Sequence, residues 1–543
     1  MSKSTLKTSQ TFTQSFSSSF SKSGRSSSGN AKLSLTPTRV FSKSRTDKLF
    51  EDHTPKTSYN PVPHHRRRPF ATNGDKFAFV MVGLPARGKT YISQKIKHYF
   101  EFFHSAPTAV FNAGQTRRKM LGAKSMHTFF DPKNLKTSKL REDIAKKTME
   151  NLISWLREDN ESDSPLGRIA IYDATNTTRR RRKWIIESLT PVLQSRRHLI
   201  FIESVCENKD IVESNILSVK VSMPDYFGLD PKDAMQDFIK RIEHYKKSYE
   251  PLDSKFDDQL SWIKTFDGGE SLTMNRIKGS LPGKLVTLLM NLHTFPRPIY
   301  LSRHGQSVYN AQNRIGGDSG LSEEGEEYAK VLAEYVENEI LNHNGSVARN
   351  ARHSRLYIST MQRSIQTTKW IRHTVQTDGW VTMRPRRFAA LDEVYAGKFD
   401  GMSPEEILQQ APEESKLRQE DKLNYRYPRG ESYSDAIERV QLVALQLERH
   451  RDPVLVVAHN GIIRILYAYF KGLSREDAPY VEIPSNCVIK LVPRCYTCEE
   501  EHEYLVKSNG GEKEGGEEGG EKDGAEGREA KSRVRSSTME TPI

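Results

Sequence analysis

The run Phe77-Ala-Phe-Val-Met-Val82 is followed at once by Gly83, Leu84, Pro85, Ala86, Arg87, Gly88, Lys89 and Thr90, and then by a stretch with helical spacing that opens at Tyr91. The pattern GxxxxGK[ST] between a strand and a helix tolerates few folds. It needs a buried parallel strand ending in a tight turn whose backbone N–H groups point inward around phosphate oxygens. Gly83 and Gly88 let the backbone make that turn, and the helix N-terminus adds its partial positive charge. Lys89 reaches the outer phosphates, and Thr90 offers a hydroxyl to magnesium. The bland counterpart is a glycine-rich strand-to-helix turn with a surface lysine.

The surrounding pattern agrees with the demanding reading. From Lys76 to Asn291, short apolar runs (FAFVMV, TAVFN, RIAIYD, HLIFIE) alternate with longer charged stretches of helical spacing, as buried parallel strands with helical crossovers do. After a proline-containing joint, His293 to Pro298, a second series follows. It comprises IYLSRH, a helix from Leu321, RLYIST, a helix from Arg363, PVLVVAH, a helix from Gly461, and NCVIKLV. The chain therefore reads as α/β twice over, with a boundary near Pro296. The expected domains are 76–295, a P-loop domain with a mainly parallel sheet, and 296–507, a second α/β domain.

A P-loop enzyme also needs an acid at the end of a neighbouring strand to hold its metal. Arg168-Ile-Ala-Ile-Tyr-Asp173 ends in one, although many such turns begin with Asp only as a helix cap. The basic residues Arg117, Arg118, Arg141, Arg181, Lys220 and Arg241 suggest a small anionic acceptor, each alone being an ordinary surface charge. In the second series, Arg303-His304-Gly305 follows the strand IYLS, Arg363 opens a helix after RLYIST, Glu393 lies in ALDEVYAG, and His459-Asn460-Gly461 ends PVLVVA. Two histidines and two arginines beside strand ends of one sheet can converge on one pocket. A neutral His can attack phosphorus, arginines and a second His can stabilise the equatorial oxygens, and a carboxylic acid can protonate the leaving alcohol. That scheme requires no metal.

Composition sets limits around these sites. With 36% hydrophobic residues and no apolar run of 18, nothing reads as a membrane span, and the N-terminal stretch has no secretory pattern. Four cysteines (Cys206, Cys487, Cys495, Cys498) are too few for a disulfide framework, and the lone CxxC lacks a second ligand pair. An intracellular, cytoplasmic protein is expected. Of the formal charge of +14, residues 1–70 carry +10, from 13 Lys or Arg against Asp47, Glu51 and Asp52. The same segment holds 16 Ser and 9 Thr, so 1–75 reads as a disordered basic arm. The Gly/Glu/Lys-rich stretch 508–543 reads as a disordered tail. Nucleic-acid binding through the arm lacks aromatic interleaving or a recognition module.

A P-loop kinase-like half ahead of an RHG half resembles the bifunctional 6-phosphofructo-2-kinase/fructose-2,6-bisphosphatase family. GLPARGKTYIS, DATNTT, ESVCENKDIVESNILSVKVSMPDY, RIEHYKKSYEPLD, SRHGQSVYN, RIGGDSGLS, YRYPRGESY and LVVAHNGIIRILYAYF look like that family's blocks in its order, over about residues 76–493. The resemblance implies a P-loop kinase domain followed by a histidine-phosphatase, phosphoglycerate-mutase-like domain. It implies synthesis of fructose 2,6-bisphosphate from fructose 6-phosphate and Mg-ATP, and its hydrolysis through a phosphohistidine, so controlling glycolysis against gluconeogenesis. Residue by residue it implies ATP on Gly83 to Tyr91 with Asn215 to Lys220 nearby, and magnesium at Thr90 and Asp173. It puts the sugar phosphate on Arg118, Arg141, Thr175, Arg181, Lys220, Arg241 and Tyr245, and catalytic positions at Lys89, Asp173 and Cys206. In the phosphatase half it implies His304 as nucleophile, Glu393 as proton donor, His459, Arg303 and Arg363 as charge stabilisers, and Asn310, Gly316, Arg418, Lys422, Tyr433, Asn460 and Arg464 as substrate contacts. Regulatory protein kinases on the arm and a homodimer are the partners it suggests.

Three departures from the family's usual pattern bear on activity: Thr116 where Tyr is common, Pro404 where Tyr is common, and Asn460 where Gln is usual. Thr116 has room to loosen the kinase's sugar site, and the others the phosphatase's; none removes a catalytic group, so both halves read as competent, with their ratio left open. The alternatives are a protein that is mainly a bisphosphatase with a weak kinase, and a hexose-phosphate sensor without turnover.

Overall fold

The computed structural model describes residues 75–506, apart from 124, 159–167, 194, 218–223, 294, 342–352, 377 and 495–496. The tail and all of the arm except Asp75 lie outside the described residues. The two apolar series each build a six-stranded sheet. In the first, β1 (Phe77–Val82), β2 (Thr108–Asn112), β3 (Ile169–Asp173), β4 (Leu199–Val205), β5 (Ser261–Phe266) and β6 (Ser271–Asn275) stand in the order β2-β3-β1-β4-β5-β6. Every pairing is parallel except β5 with β6. All six residues of β1 are buried, because the strand is covered on both faces by helices.

The second sheet holds β7 (Ile299–Arg303), β8 (Arg355–Ile358), β9 (Pro385–Arg387), β10 (Val454–Ala458), β11 (Cys487–Pro493) and β12 (Cys498–Tyr504), in the order β12-β11-β7-β10-β8-β9. β7, β10, β8 and β9 run parallel, with Arg303 opposite Ala458, while β11 and β12 are antiparallel additions. The C-terminal ends of β7, β10 and β8 are thus neighbours, and His304, His459 and Arg363 follow on those three strands.

Helix α1 (Lys89–His104) joins the halves. Its N-terminus closes the turn after β1, and its far end packs on the second half. Tyr99, Phe102 and Phe103 are about fully buried in one apolar cluster that also contains Val440, Leu447 and Tyr469. His98 stacks on Tyr469 with ring centroids 5.1 Å apart, and Gln441 hydrogen-bonds both Tyr99 and His104. The fully buried Glu448 carboxylate accepts from Lys95 at 2.8 Å, from Arg297 at 2.5 Å and from the Tyr469 hydroxyl at 3.1 Å.

The junction is built to hold its imidazoles neutral. Burial, then nearby Lys95, pushes His98 down to about 4. Burial, then Lys284, pushes His104 down to about 3, and burial, then Arg297, pushes His293 down to about 4. An unfolded chain protonates these rings near 6.5, so between that value and about 4 the unfolded state binds more protons and stability falls with falling pH. The melting temperature is therefore expected to drop steadily as the pH is taken from neutrality to about 5, and less so in His98→Gln. Thermal denaturation across that range checks it; a flat profile contradicts it.

Candidate active sites

In the first half, a cavity of about 620 Å³ opens where the turn after β1 meets the ends of β2 and β3. Its lining includes Pro85 to Tyr91, Asp173, Thr175 and Asn215, and Arg118, Arg141, Arg181, Arg241 and Tyr245. Gly83 and Leu84 directly precede these lining residues in the turn after β1. The Gly83 N–H donates to Thr175 O at 3.0 Å, and at φ +133° a Cβ there would lie 2.6 Å from Ser204 O, so only glycine fits. Gly88 at φ +79° and Ala86 at φ 57° complete a loop held by the Asn215 amide, which donates to Ala86 O at 3.4 Å. Lys89, 8% exposed, donates to Leu84 O at 2.6 Å across the loop. Such a cradle, on a helix N-terminus, suits phosphate oxygens.

Asp173 ends β3 almost wholly buried, and its carboxylate accepts from Asn112 Nδ2 at 2.5 Å. Thr90 and Asp173 both line the cavity, so a hydroxyl and a carboxylate are available there to a hard cation. The other end is cationic. Arg241 lies 3.7 Å over the Phe130 ring, Arg141 donates to Phe130 O at 3.1 Å and Asp131 O at 3.3 Å, and Arg117 pairs with buried Asp225, which Arg118 approaches at 3.7 Å. Burial, then the neighbouring Arg241, lowers the Arg117 guanidinium from its ordinary value. Sequence reasoning missed Asn112, Phe130 and Asp225 as supports. The acid three residues into MPDY was legible as a partner for the Arg117-Arg118 pair, whereas Asn112 and Phe130 carry no sequence signal.

Cys206 lines a smaller pocket of about 30 Å³ that shares Arg87, Gly88, Tyr91 and Asn215 with this cavity, and burial, then Asp267, pushes its thiol up to about 11. Thr116 turns its hydroxyl back to Asn112 O at 3.3 Å. Lys220 lies outside the described residues.

The second half brings its histidines together on one guanidinium. The Arg363 Nε–H faces His304 Nε2 at 3.1 Å and His459 Nδ1 at 3.1 Å, with the two rings 4.9 Å apart. An N–H donor on His304 Nε2 assigns the proton to Nδ1, which donates to Gly305 O at 2.7 Å. By the same reasoning His459 Nε2–H donates to Ser359 Oγ at 2.7 Å. Burial, then Arg363, pushes His304 down to about 3, and burial, then His304, holds His459 well below its ordinary value. Both imidazoles are neutral at pH 7, with the Nε2 lone pair of His304 facing the cationic side of the site. The turn itself is held by Thr367, whose hydroxyl accepts from Gly305 N at 2.9 Å. Ser359 and Thr367 were not foreseen; both are hydroxyls flanking Arg363 on the segment after β8, the one place to look for them.

The remaining residues take several parts. Arg303 donates to Ser485 Oγ at 3.0 Å and Ile483 O at 3.3 Å. Glu393 accepts from Val394 N at 3.0 Å and Gly461 N at 3.4 Å. Arg464 Nη1 reaches the Tyr433 hydroxyl at 3.4 Å, and Lys422 lies 5.9 Å from the Tyr433 ring while donating to Pro479 O. Burial, then Arg464 and Arg418, pushes Lys422 down to about 8. Arg418 lies 5.8 Å over Tyr427. Asn310 spends its Oδ1 on the Ser307 N–H and hydroxyl, and a Cβ on Gly316 would collide with Asp400. Pro404 stands in the first turn of the helix Pro404–Gln410, whose cap is the Ser403–Glu406 box, a place that suits proline. Asn460 opens the helix Asn460–Lys471 with a buried Oδ1 that has no hydrogen-bond partner among the described residues.

Two family models match the chain: 6-phosphofructo-2-kinase over residues 67–296 and the histidine phosphatase superfamily (branch 1) over 299–506. Among curated proteins, 6-phosphofructo-2-kinase/fructose-2,6-bisphosphatase of Caenorhabditis elegans is 41% identical over 426 residues, 77% of this chain and 87% of the relative. The human protein 6-phosphofructo-2-kinase/fructose-2,6-bisphosphatase 3 is 41% identical over 427 residues, 78% of this chain and 76% of the relative. The Gallus gallus protein is 39% identical over 450 residues, 82% and 89%.

Proposed function

The chain belongs to the bifunctional 6-phosphofructo-2-kinase/fructose-2,6-bisphosphatase family and makes and hydrolyses fructose 2,6-bisphosphate, and from this premise we propose how its residues divide the work. Residues 76–295 form the kinase and 296–507 the bisphosphatase, between the arm 1–75 and the tail 508–543. Supporting the reading most directly is the pairing of a phosphate cradle with an arginine cluster in one cavity, while two neutral imidazoles share one guanidinium in the other half.

In the kinase, the loop Gly83–Thr90 binds the ATP phosphates, with Tyr91 and Asn215 beside them. Arg118, Arg141, Arg181, Arg241, Thr175 and Tyr245 hold the sugar phosphate, and Lys220 belongs with them by its place in the family's block. Thr90 and Asp173 would hold magnesium, which when bound neutralises phosphate charge. Asp173 is proposed to accept the proton of the 2-hydroxyl as that oxygen attacks, and Lys89 to meet the charge gathering on the transferring group.

In the bisphosphatase, His304 Nε2 attacks the 2-phosphate, the N–P bond forms, the P–O bond to C2 breaks, and the leaving oxygen takes a proton from Glu393. Water then attacks phosphorus, giving its proton to Glu393 and freeing His304. Arg303, Arg363 and His459 surround the phosphoryl oxygens, and Lys422, Tyr433, Arg418, Arg464, Asn310, Gly316 and Asn460 contact the rest of the substrate. This half needs no cofactor. Purified full-length protein, assayed for both reactions, tests the whole reading: it fails if either activity is missing. A mainly hydrolytic enzyme with a weak kinase is not favoured, since both halves match their families and the cradle is complete.

We place this activity in the cytoplasm; no helix among the described residues is long and apolar enough to cross a membrane. A homodimer and regulatory protein kinases are the proposed partners. The arm carries Arg25 ahead of Ser26, Ser27 and Ser28, a spacing that basophilic kinases accept, and each phosphate adds about −1.5 to −2 charge. Phosphorylation is expected to shift the kinase-to-phosphatase ratio of the full chain and not that of a chain lacking residues 1–70. An equal shift in both chains, or none in the full one, rejects the arm as the switch.

A further inference from the structure

The general acid of a phosphatase has to sit still. Glu393 lies just beyond the single 3-10 turn Ala389–Leu391, on a segment with no strand or long helix of its own to fix it. What fixes it is a guanidinium from elsewhere. Arg439, on the helix Tyr433–Arg449, donates from Nη1 to Ala390 O at 2.7 Å, and from Nη2 to Asp392 O at 2.7 Å and Glu393 O at 3.0 Å. Its other edge is gripped by Glu431, which accepts from Nε at 2.9 Å and Nη2 at 3.0 Å. Glu431 also accepts from Tyr395 N at 3.1 Å, and its own N–H donates to Tyr395 O at 2.9 Å, so the segment is tied down on both sides of Glu393. Asp392 adds a third tie, accepting from Thr360 N at 2.7 Å and Thr360 Oγ1 at 2.6 Å, and Thr360 lies three residues before Arg363.

The geometry points to Arg439 and Glu431 as positioning residues that hold the Glu393 carboxyl against the oxygen leaving phosphorus. A planar guanidinium reaches the three carbonyls and the carboxylate at once, with Nη2 sharing its two N–H groups among Asp392 O, Glu393 O and Glu431; a lysine offers three donors from one point. Neither side chain takes part in bond making. Arg439 and Glu431 meet the segment through its backbone groups, which leaves the Glu393 carboxyl free to face Gly461 and the site. The inference rests on the reading of Glu393 as proton donor, so Glu393→Gln belongs in the same experiment.

The test measures steady-state hydrolysis of fructose 2,6-bisphosphate, with the kinase rate of each variant as the check on folding. Arg439→Lys and Glu431→Gln are each expected to lower kcat by about 10-fold to 10²-fold, the cost of a displaced catalytic group, with KM changed less than about threefold. Because the clamp acts through Glu393, the double variant Arg439→Lys/Glu393→Gln is expected to match Glu393→Gln alone within about twofold. Losses that multiply in the double variant, a KM effect without a kcat effect, or unchanged hydrolysis in either single variant would overturn the clamp. If Glu393→Gln itself hydrolyses at the normal rate, the proton-donor reading has failed and the clamp falls with it. Glu393→Gln slow beside a normal Arg439→Lys sinks the clamp alone.

Discussion

His304→Ala is expected to abolish hydrolysis of fructose 2,6-bisphosphate, by on the order of 10⁴-fold or more, while leaving synthesis near its normal rate. The size follows from what is lost. The covalent route replaces one displacement by two, each assisted by the same cationic cage, and without an imidazole nitrogen that route is closed. A water held by Arg303, Arg363 and His459 has no comparable nucleophilicity. Synthesis survives because the kinase cavity is formed on the other sheet. Brief exposure to substrate labelled in the 2-phosphate should leave label on the wild-type chain, labile to acid and stable to base as a phosphoramidate is, and none on His304→Ala. Label retained by the variant would disprove the assignment. The neutral state carries a second, linked expectation. With His304 pushed down to about 3, its protonation does not limit the free enzyme until the medium is far below neutrality, so label formation should persist to about pH 5.

Lys89→Met should give the opposite result. Synthesis falls by on the order of 10²-fold or more, and hydrolysis stays intact. Methionine matches the lysine stem in bulk, so the packing at the start of α1 is kept. Lost are the ammonium and its bond to Leu84 O, which today crosses the loop. With no positive charge beside the transferring group, transition-state stabilisation of several kcal/mol disappears. Normal synthesis by the variant would show that the loop is not the phosphate site.

Much of this was legible in advance because buried parallel strands are written as continuous apolar runs. FAFVMV, TAVFN, IAIYD, IYLSR and VLVVA became β1, β2, β3, β7 and β10, and the residues just past their ends became the candidate sites. The parallel strand β5 (SWIKTF) was missed because Lys264 and Thr265 break its apolar run, and strands with one wet face were missed too. β6 (SLTMN) and β12 (CEEEHEY) are antiparallel additions whose side chains are mostly partly or fully exposed, so no apolar run announces them. The hairpin signal Asp267-Gly268-Gly269 between β5 and β6 was present and went unread. β9, three residues beginning with Pro385, has no strand signature. The supports missed at both sites, Asn112, Phe130, Ser359 and Thr367, touch catalytic groups only after folding brings distant segments together.

The apolar cluster shared between the halves has a consequence for supply. Tyr99, Phe102 and Phe103 are covered by Val440, Leu447 and Tyr469, and Glu448 is neutralised from both sides of the junction. Cut apart, each half would present bare aromatic surface, and Glu448 would lose Lys95 while keeping Arg297 and Tyr469, so the two halves are expected to be kept as one chain. Synthetic and hydrolytic capacity are therefore manufactured, and destroyed, one for one. Changing how much protein is made scales both directions of the cycle together and leaves their balance where it was; the set point has to be moved through what occupies or modifies each copy.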